Sequence, residues 1–303
     1  MAKNKVVSVL TLQKYKSEGT KIVALTAYDY ATAQILDRAG VDVILVGDSL
    51  AMVALGHRTT HSVTVDQMLH HARAVTRGVQ NSLVVADLPF MSYQVEMTQA
   101  ITNAGRFVKE AQAHAVKLEG ATDLTLDIVE RLVGLGIPVM GHLGFTPQAI
   151  HGLGGNRVQG RTAKEAFKLL RDAQALERAG AFSVVLEMVP QVVAKLITER
   201  IAIPTIGIGA GNECDGQILV TDDLLGKYTD FKPKFVRRYA NLAHTCHEAV
   251  VNYARDVMSQ DFPNDSESFE MQEEEETLLR SLLVDQPAVE ASKKMAREPL
   301  SQD

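Results

Sequence analysis

The chain has 303 residues, 46% of them hydrophobic and 22% charged, which is enough to bury a sizeable core in one large domain or two small ones. Its formal charge of -6 is concentrated at one end: residues 265–303 carry 11 acidic and 4 basic side chains, which leaves 1–264 at a net +1. A near-neutral body with no Trp and 5% aromatics offers neither the charge nor the stacking surface of a nucleic-acid binder, and no apolar run approaches the roughly 18 residues of a membrane span.

The N-terminal stretch MAKNKVVSVLTLQKYKSEG has short apolar runs, no small-residue cleavage pattern and no Arg, so neither a secretory signal nor a transit peptide is expected. Cys214 and Cys246 are too few for a disulfide framework or a four-cysteine zinc site. A cytoplasmic location is the expectation. From Lys21 onward, apolar runs alternate with segments of helical period: KIVALTAYD (21–29), VDVILVGDS (41–49), LVVADLPF (83–90), AVKLEG (115–120), IPVMGHLG (137–144), AFSVVLEMV (181–189), IPTIGIGAG (203–211) and QILVTDDLL (217–225). Plausible helices lie between most of them. YATAQILDRAG ends on Gly40, TVDQMLHHARAVTRG starts on a capping Thr64, and TAKEAFKLLRDAQALERAG opens with Thr162 and a Glu at the capping-box position.

Eight strand–helix repeats in this length predict an α/β TIM (β/α)8 barrel. An open doubly wound sheet shares the alternation and differs only in closure. The interval from Ile203 to Gln217 is too short for a full helix, so a turn is expected there. A final helix over 233–260 would align Phe235, Tyr239, Leu242, Cys246, Val250, Tyr253 and Val257 along one stripe, packed either on its own barrel or on a neighbouring subunit. The expected domain is therefore 1–264, followed by an acidic, disordered tail at 265–303 in which LLRSLL has the makings of a short amphipathic turn.

In a parallel barrel the reacting groups stand at the C-terminal strand ends. Here those ends offer Asp48 and Ser49, Asp87, Lys117 and Glu119, His142, Glu187, and the glycines Gly207, Gly209 and Gly211. The long connections 51–63 and 145–161 fall on the same side, where extra loop length usually builds a site. A barrel mouth is polar in any case, which weakens the argument for any single residue; three carboxylates with Lys, His and a further Glu are harder to dismiss. Asp48, Asp87 and Glu119 are the metal candidates, and an all-oxygen set suits Mg2+ better than zinc. His57 and His61 have zinc-like spacing but lie in a loop without a metalloprotease Glu, while His70 with His71 and His244 with His247 read as structural or surface residues. The GIGAGN segment (207–212) lacks the third glycine of a dinucleotide fingerprint and reads as a tight turn; HGLGGNRVQGR (151–161) reads as a long loop or a mobile lid.

Taken together, TAYDY (26–30), VGDSL (46–50), LGHRTTHSVT (55–64), VVADLPFMSY (84–93), VKLEG (116–120), GHLGFTPQ (141–148), VQGR (158–161), VLEMVP (185–190) and GIGAGNECDGQILV (207–220) resemble the ketopantoate hydroxymethyltransferase family. The resemblance implies a TIM barrel, Mg2+, a decamer of two pentameric rings, and hydroxymethyl transfer from 5,10-methylenetetrahydrofolate to 3-methyl-2-oxobutanoate on the way to pantothenate and coenzyme A. It also implies roles: Asp48, Asp87 and Glu119 as metal ligands, Asp48, Ser49, Asp87 and Lys117 as substrate contacts, and Glu187 as the proton acceptor. Two departures stand out, Ala51 where Gly is usual after GDSL, and the acidic tail. A rival reading is a Mg2+-dependent 2-oxo acid lyase or phosphonomutase-like barrel, against which the lack of a KKCG-like motif counts. A non-catalytic barrel scaffold would be expected to lack part of the acid set.

Overall fold

The computed structural model describes residues 6–284. Eight parallel strands close into a barrel: β1 (Ile22–Thr26), β2 (Val43–Val46), β3 (Leu83–Asp87), β4 (Ala115–Lys117), β5 (Val139–Gly144), β6 (Ser183–Glu187), β7 (Thr205–Ile208) and β8 (Gly216–Leu219). Each of the eight expected runs holds or overlaps one strand. Closure is made by β8 against β1, with Gly216 opposite Ile22 and Leu219 opposite Leu25. This settles the choice between a closed barrel and an open sheet.

The helices are α1 (Val9–Glu18), α2 (Tyr30–Arg38), α3 (Leu50–Val53), α4 (Val65–Gly78), α5 (Met97–Ala111), α6 (Asp123–Gly134), α7 (Ala163–Arg178), α8 (Gln191–Thr198), α9 (Thr221–Leu224), α10 (Leu242–Ser259) and α11 (Glu273–Leu283). Thr64 and Thr162 cap α4 and α7, each accepting from the third residue of its helix while Gln67 or Glu165 returns the bond. A cap of this kind is worth about 1 kcal/mol. The β7–β8 connection has no helix, as its length requires.

Strand parity organises the core. Side chains alternate between the two faces of a strand, so Ile22, Ala24, Val43, Leu45, Leu83, Val85, Ala115, Met140, Val185, Ile206 and Ile218 fill the barrel. The intervening residues, among them Ile44, Val46, Val84, Val116, Val184 and Leu186, belong to the larger core shared with the helices. The helix α1 was not anticipated. Its Ser8 and Thr11 form a capping box, and its fully buried Leu12 joins the barrel-interior cluster, while Lys16 pairs with Asp215 at 2.7 Å just before β8. It therefore closes the end of the barrel opposite the strand C-termini.

The expected helix over 233–260 begins only at Leu242. Backbone donors before that point are spent elsewhere: Tyr239 N on Leu224 O, Leu242 N on Leu225 O, and Val236 N on Pro233 O. Phe235 instead lies against Gly209, where an added Cβ would come within 2.8 Å of its ring; Phe235 and Tyr239 are thus not part of a helical stripe. The chain divides between Ala243 and His244 into two units, whereas the sequence expectation drew the barrel domain on to 264. No residue of α10 is buried. The tail, expected to be disordered, contains the helix α11 within its described part, built from four glutamates at its positive end followed by TLLRSLL; the remainder of that expectation, 285–303, lies outside the described residues.

Candidate active site

The parity that fills the barrel with aliphatic side chains continues past the strands' last apolar residues. Thr26, Asp87, Lys117, Glu119, His142, Glu187 and Ile208 all occupy inward positions at the C-terminal end and line one cavity of about 110 Å3. Asp48 and Ser49 reach the same cavity from the turn after β2. Every residue singled out from the strand ends as a ligand, substrate contact or base is brought together there. The remaining wall is apolar, with Leu45, Val185, Ile218 and Leu219 among its members.

Four carboxylates face two cations. Lys117 Nζ donates to Asp87 Oδ1 at 2.5 Å and lies 4.0 Å from Glu119 Oε1. Burial works against its charge, yet Asp87, Glu119 and Asp48 hold the ammonium well above its ordinary pKa. The second carboxylate oxygen of Asp87 accepts from the backbone N–H of Asp48 at 3.0 Å. Asp48 is 3% exposed, and burial, then Asp87 and Glu119, push its carboxyl well above the usual range, with Lys117 and Gln148 opposing. Ser49 Oγ sits 2.8 Å from the Tyr28 hydroxyl.

His142 bridges the two glutamates. Its Nδ1 is 3.2 Å from Glu119 Oε1, and its Nε2 is 3.2 Å from Glu187 Oε2 but poorly aligned for an N–H···O bond. Burial and Lys117 push the imidazole pKa down, but the two carboxylates prevail and raise it to about 9. Burial pushes the Glu119 carboxyl up; His142, Lys117 and the backbone N–H of Gln148 outweigh it, so that its pKa falls. Glu187 ends β6 at 15% side-chain exposure, and Met188 after it has a φ of 48°, a left-handed conformation that a non-glycine residue keeps only when its surroundings enforce it. Among the described residues the ionic partner of Glu187 is His142, not Arg157 or Lys117.

Sequence reasoning left several participants unassigned. From the sequence His142 reads only as a strand-end residue, and Tyr28, Tyr93 and Gln148 carry no mark of a site role. Gln148 lies in the long loop after β5, yet its Nε2 donates to Asp48 Oδ2 at 2.9 Å and its backbone N–H to Glu119 Oε2 at 3.0 Å. Loop length was the available signal; nothing local marks that one amide. His57 and His61, whose spacing is zinc-like but whose loop setting argues against a zinc pair, are not part of the centre: His61 Nε2 meets Gln148 O at 2.9 Å and its ring stacks on His151. His71 bonds Tyr28 O while His70 is exposed, and His244 pairs with Glu248 on the surface of α10. Ala51 is buried within α3, so the usual glycine's conformational freedom is not needed there.

Among the described residues no three acidic, His or Cys side chains make a ready-made metal centre, and each candidate carboxylate is engaged by a protein donor. The donor set nevertheless fits a hard divalent cation: all oxygen and buried, with burial and then the neighbouring charges of Asp87 and Glu119 lifting the Asp48 pKa. Gly47 leaves room beside it, since a Cβ there would lie 2.9 Å from Ser49 Oγ and 3.5 Å from Asp87 Oδ2.

Fold and site together define a closed parallel barrel with the acidic mouth of an enzyme, its carboxylates offset in part by Lys117 and His142. The chain belongs to the ketopantoate hydroxymethyltransferase family, which matches residues 6–265. It is 54% identical over 265 residues to the 3-methyl-2-oxobutanoate hydroxymethyltransferase of Carboxydothermus hydrogenoformans, covering 88% of this chain and 96% of the relative. It is 51% identical over 267 residues to that of Clostridium botulinum, covering 88% and 97%. Among solved structures, a phosphonopyruvate hydrolase in complex with oxalate and Mg2+ superposes with a TM-score of 0.56 at 13% identity, over 93% of this chain and 99% of that one, a likeness of fold.

Proposed function

We propose that this chain transfers a hydroxymethyl group from 5,10-methylenetetrahydrofolate to 3-methyl-2-oxobutanoate, giving 2-dehydropantoate. The observation that carries the reading is the small cavity itself, in which a cluster of acids with Lys117 meets an aliphatic wall of Leu45, Val185, Ile208 and Ile218. A 2-oxo acid with a branched alkyl end matches both halves. Asp48, Asp87 and Glu119 are the residues that would hold Mg2+, which when bound supplies Lewis acidity toward the substrate's keto group.

The chain's own residues supply the rest. Lys117 balances the substrate carboxylate, and Ser49, supported by Tyr28, offers a hydroxyl to the same end. Glu187 takes the proton from C3, leaving the electron pair on carbon; a positioned base of this kind contributes about 100- to 10,000-fold. That pair forms the new bond to the folate's methylene carbon, whose two carbon–nitrogen bonds both break; water furnishes the hydroxyl oxygen, and the two folate nitrogens take up the proton removed from C3 and one proton from the water. His142, facing Glu187, is placed to stabilise the base as an anion before it accepts the proton.

The same reading extends to a decamer in the cytoplasm. Self-association is supported by the apolar residues Val250, Val251 and Tyr253 that α10 leaves at least half exposed, and the number rests on the family resemblance. The location is supported by two free cysteines and by the lack, among the described residues, of a helix long and apolar enough to cross a membrane. The deciding experiment incubates the protein with 3-methyl-2-oxobutanoate, methylenetetrahydrofolate and Mg2+ and assays for ketopantoate. Product that is absent with EDTA and returns with added Mg2+ is expected; no product under any metal condition would overturn the reading.

A further inference from the structure

We infer that Gln148 is a positioning residue, oriented by Tyr93, that holds Asp48 and Glu119 in the spacing a divalent cation needs. The inference rests on the proposal that these carboxylates are metal ligands. Gln148 is 6% exposed and absent from the cavity lining, so it acts through its neighbours rather than on substrate. From one position it makes three donations: Nε2 to Asp48 Oδ2 at 2.9 Å, Nε2 to Leu88 O at 3.0 Å, and backbone N–H to Glu119 Oε2 at 3.0 Å. The first and third tie together two acids that β2 and β4 deliver from different strands. The second anchors the amide to the residue that follows Asp87, so all three candidate carboxylates are referred to one loop residue.

An amide can face either way, and here the surroundings choose. Oε1 accepts from Tyr93 Oη–H at 2.9 Å and from Gln94 Nε2 at 2.7 Å. With Oε1 so occupied, Nε2 must turn to Asp48; the flipped amide would set oxygen against both the Asp48 carboxylate and the Leu88 carbonyl. Tyr93, 1% exposed, is itself constrained. Its oxygen accepts from the Glu119 backbone N–H at 3.0 Å, and its single proton is left for the 2.9 Å contact to Gln148 rather than the longer 3.3 Å approach to Glu119 O. A loop about 100 residues from Asp48 is in this way locked to the acid set by hydrogen bonds from an uncharged residue, the role outer partners play around metal ligands, where their loss typically costs about 10- to 100-fold in affinity or activity.

The test measures Mn2+ binding, by electron paramagnetic resonance of free Mn2+, in wild type, Gln148→Met, Tyr93→Phe and Asp87→Asn, alongside melting temperature. Tyr93→Phe keeps the ring packing and removes the hydroxyl, whose proton orients the amide and whose oxygen accepts from the Glu119 backbone N–H, while leaving Gln148 itself in place, so it guards against a Gln148 variant that simply fails to fold. A roughly 10- to 100-fold weaker Mn2+ affinity in both Gln148→Met and Tyr93→Phe, with melting temperatures near wild type, is expected. If both variants keep wild-type affinity while Asp87→Asn loses it, the positioning role is overturned and the metal assignment stands. A wild-type protein that binds no Mn2+ overturns both. Affinity that falls only in proportion to lost melting temperature also counts against positioning.

Discussion

Replacing Glu187 by Gln separates chemistry from stability, because the structure gives this side chain little structural work. Its ionic contact is one misaligned 3.2 Å approach to His142 Nε2, at 15% side-chain exposure, and a glutamine amide fits the same volume. The loss in stability is therefore expected to stay near 1 kcal/mol, the net worth of an ordinary hydrogen bond. Removing a positioned base is expected to slow proton transfer by about 100- to 10,000-fold, which is roughly 3 to 5 kcal/mol on the barrier. The assay follows the C3 proton of 3-methyl-2-oxobutanoate by NMR in deuterated water with Mg2+ and no folate, so only the first step is read. Wild type should wash the proton out, and Glu187→Gln should do so at a small fraction of that rate while binding substrate and Mn2+ with near-normal affinity. Exchange at the wild-type rate in a variant that has lost stability or binding would show that Glu187 is a structural partner of His142 and that the base lies elsewhere.

Gly144 pairs with Glu187 across β5 and β6 at a φ of 92°, and an added Cβ would run into the Glu187 carbonyl and lie 2.8 Å from Val189 Cγ1; Gly144→Ala should cost on the order of 1–3 kcal/mol in urea denaturation and slow C3 exchange as well, and unchanged stability would contradict the packing described. His142, whose imidazole pKa burial alone would lower but Glu119 and Glu187 raise from 6.5 to about 9, contributes stability that is complete below about pH 6.5 and is lost as pH rises through about 9. In EDTA, wild type should therefore lose stability over that window relative to His142→Gln, and parallel pH profiles would refute the pairing. Truncation after Phe269 removes the helix α11, none of whose residues is buried, and should leave melting temperature and activity near wild type; a fall in either would show that the tail packs on something.

The class of fold and most of the site were legible in the chain because both are written in short-range patterns. Alternation of period two marks the strands, and the same parity that points Val85 inward points Asp87 inward two residues later, so strand-end acids could be read as neighbours before any pairing was known. Caps at Thr64 and Thr162 are equally local, satisfied by residues three positions on. The apolar spacing predicts too early a start for α10 because it continues smoothly through Phe235 and Tyr239, while backbone donors of that stretch are claimed by the residues around α9.

Some features rest on contacts between distant parts of the chain. Closure depends on β8 finding β1, nearly 200 residues away, a pairing that periodicity cannot distinguish from an open edge. The partners of Asp48 and Glu187 belong to the same class. Gln148 carries no local mark, His142 meets its two glutamates from different strands, and both were decided when the barrel brought β2, β4, β5 and β6 to one mouth. Residue types and face were determined by the sequence by itself. Which donor satisfies which carboxylate was decided by tertiary structure, since a buried polar group takes its partner from whatever the fold sets within about 3 Å.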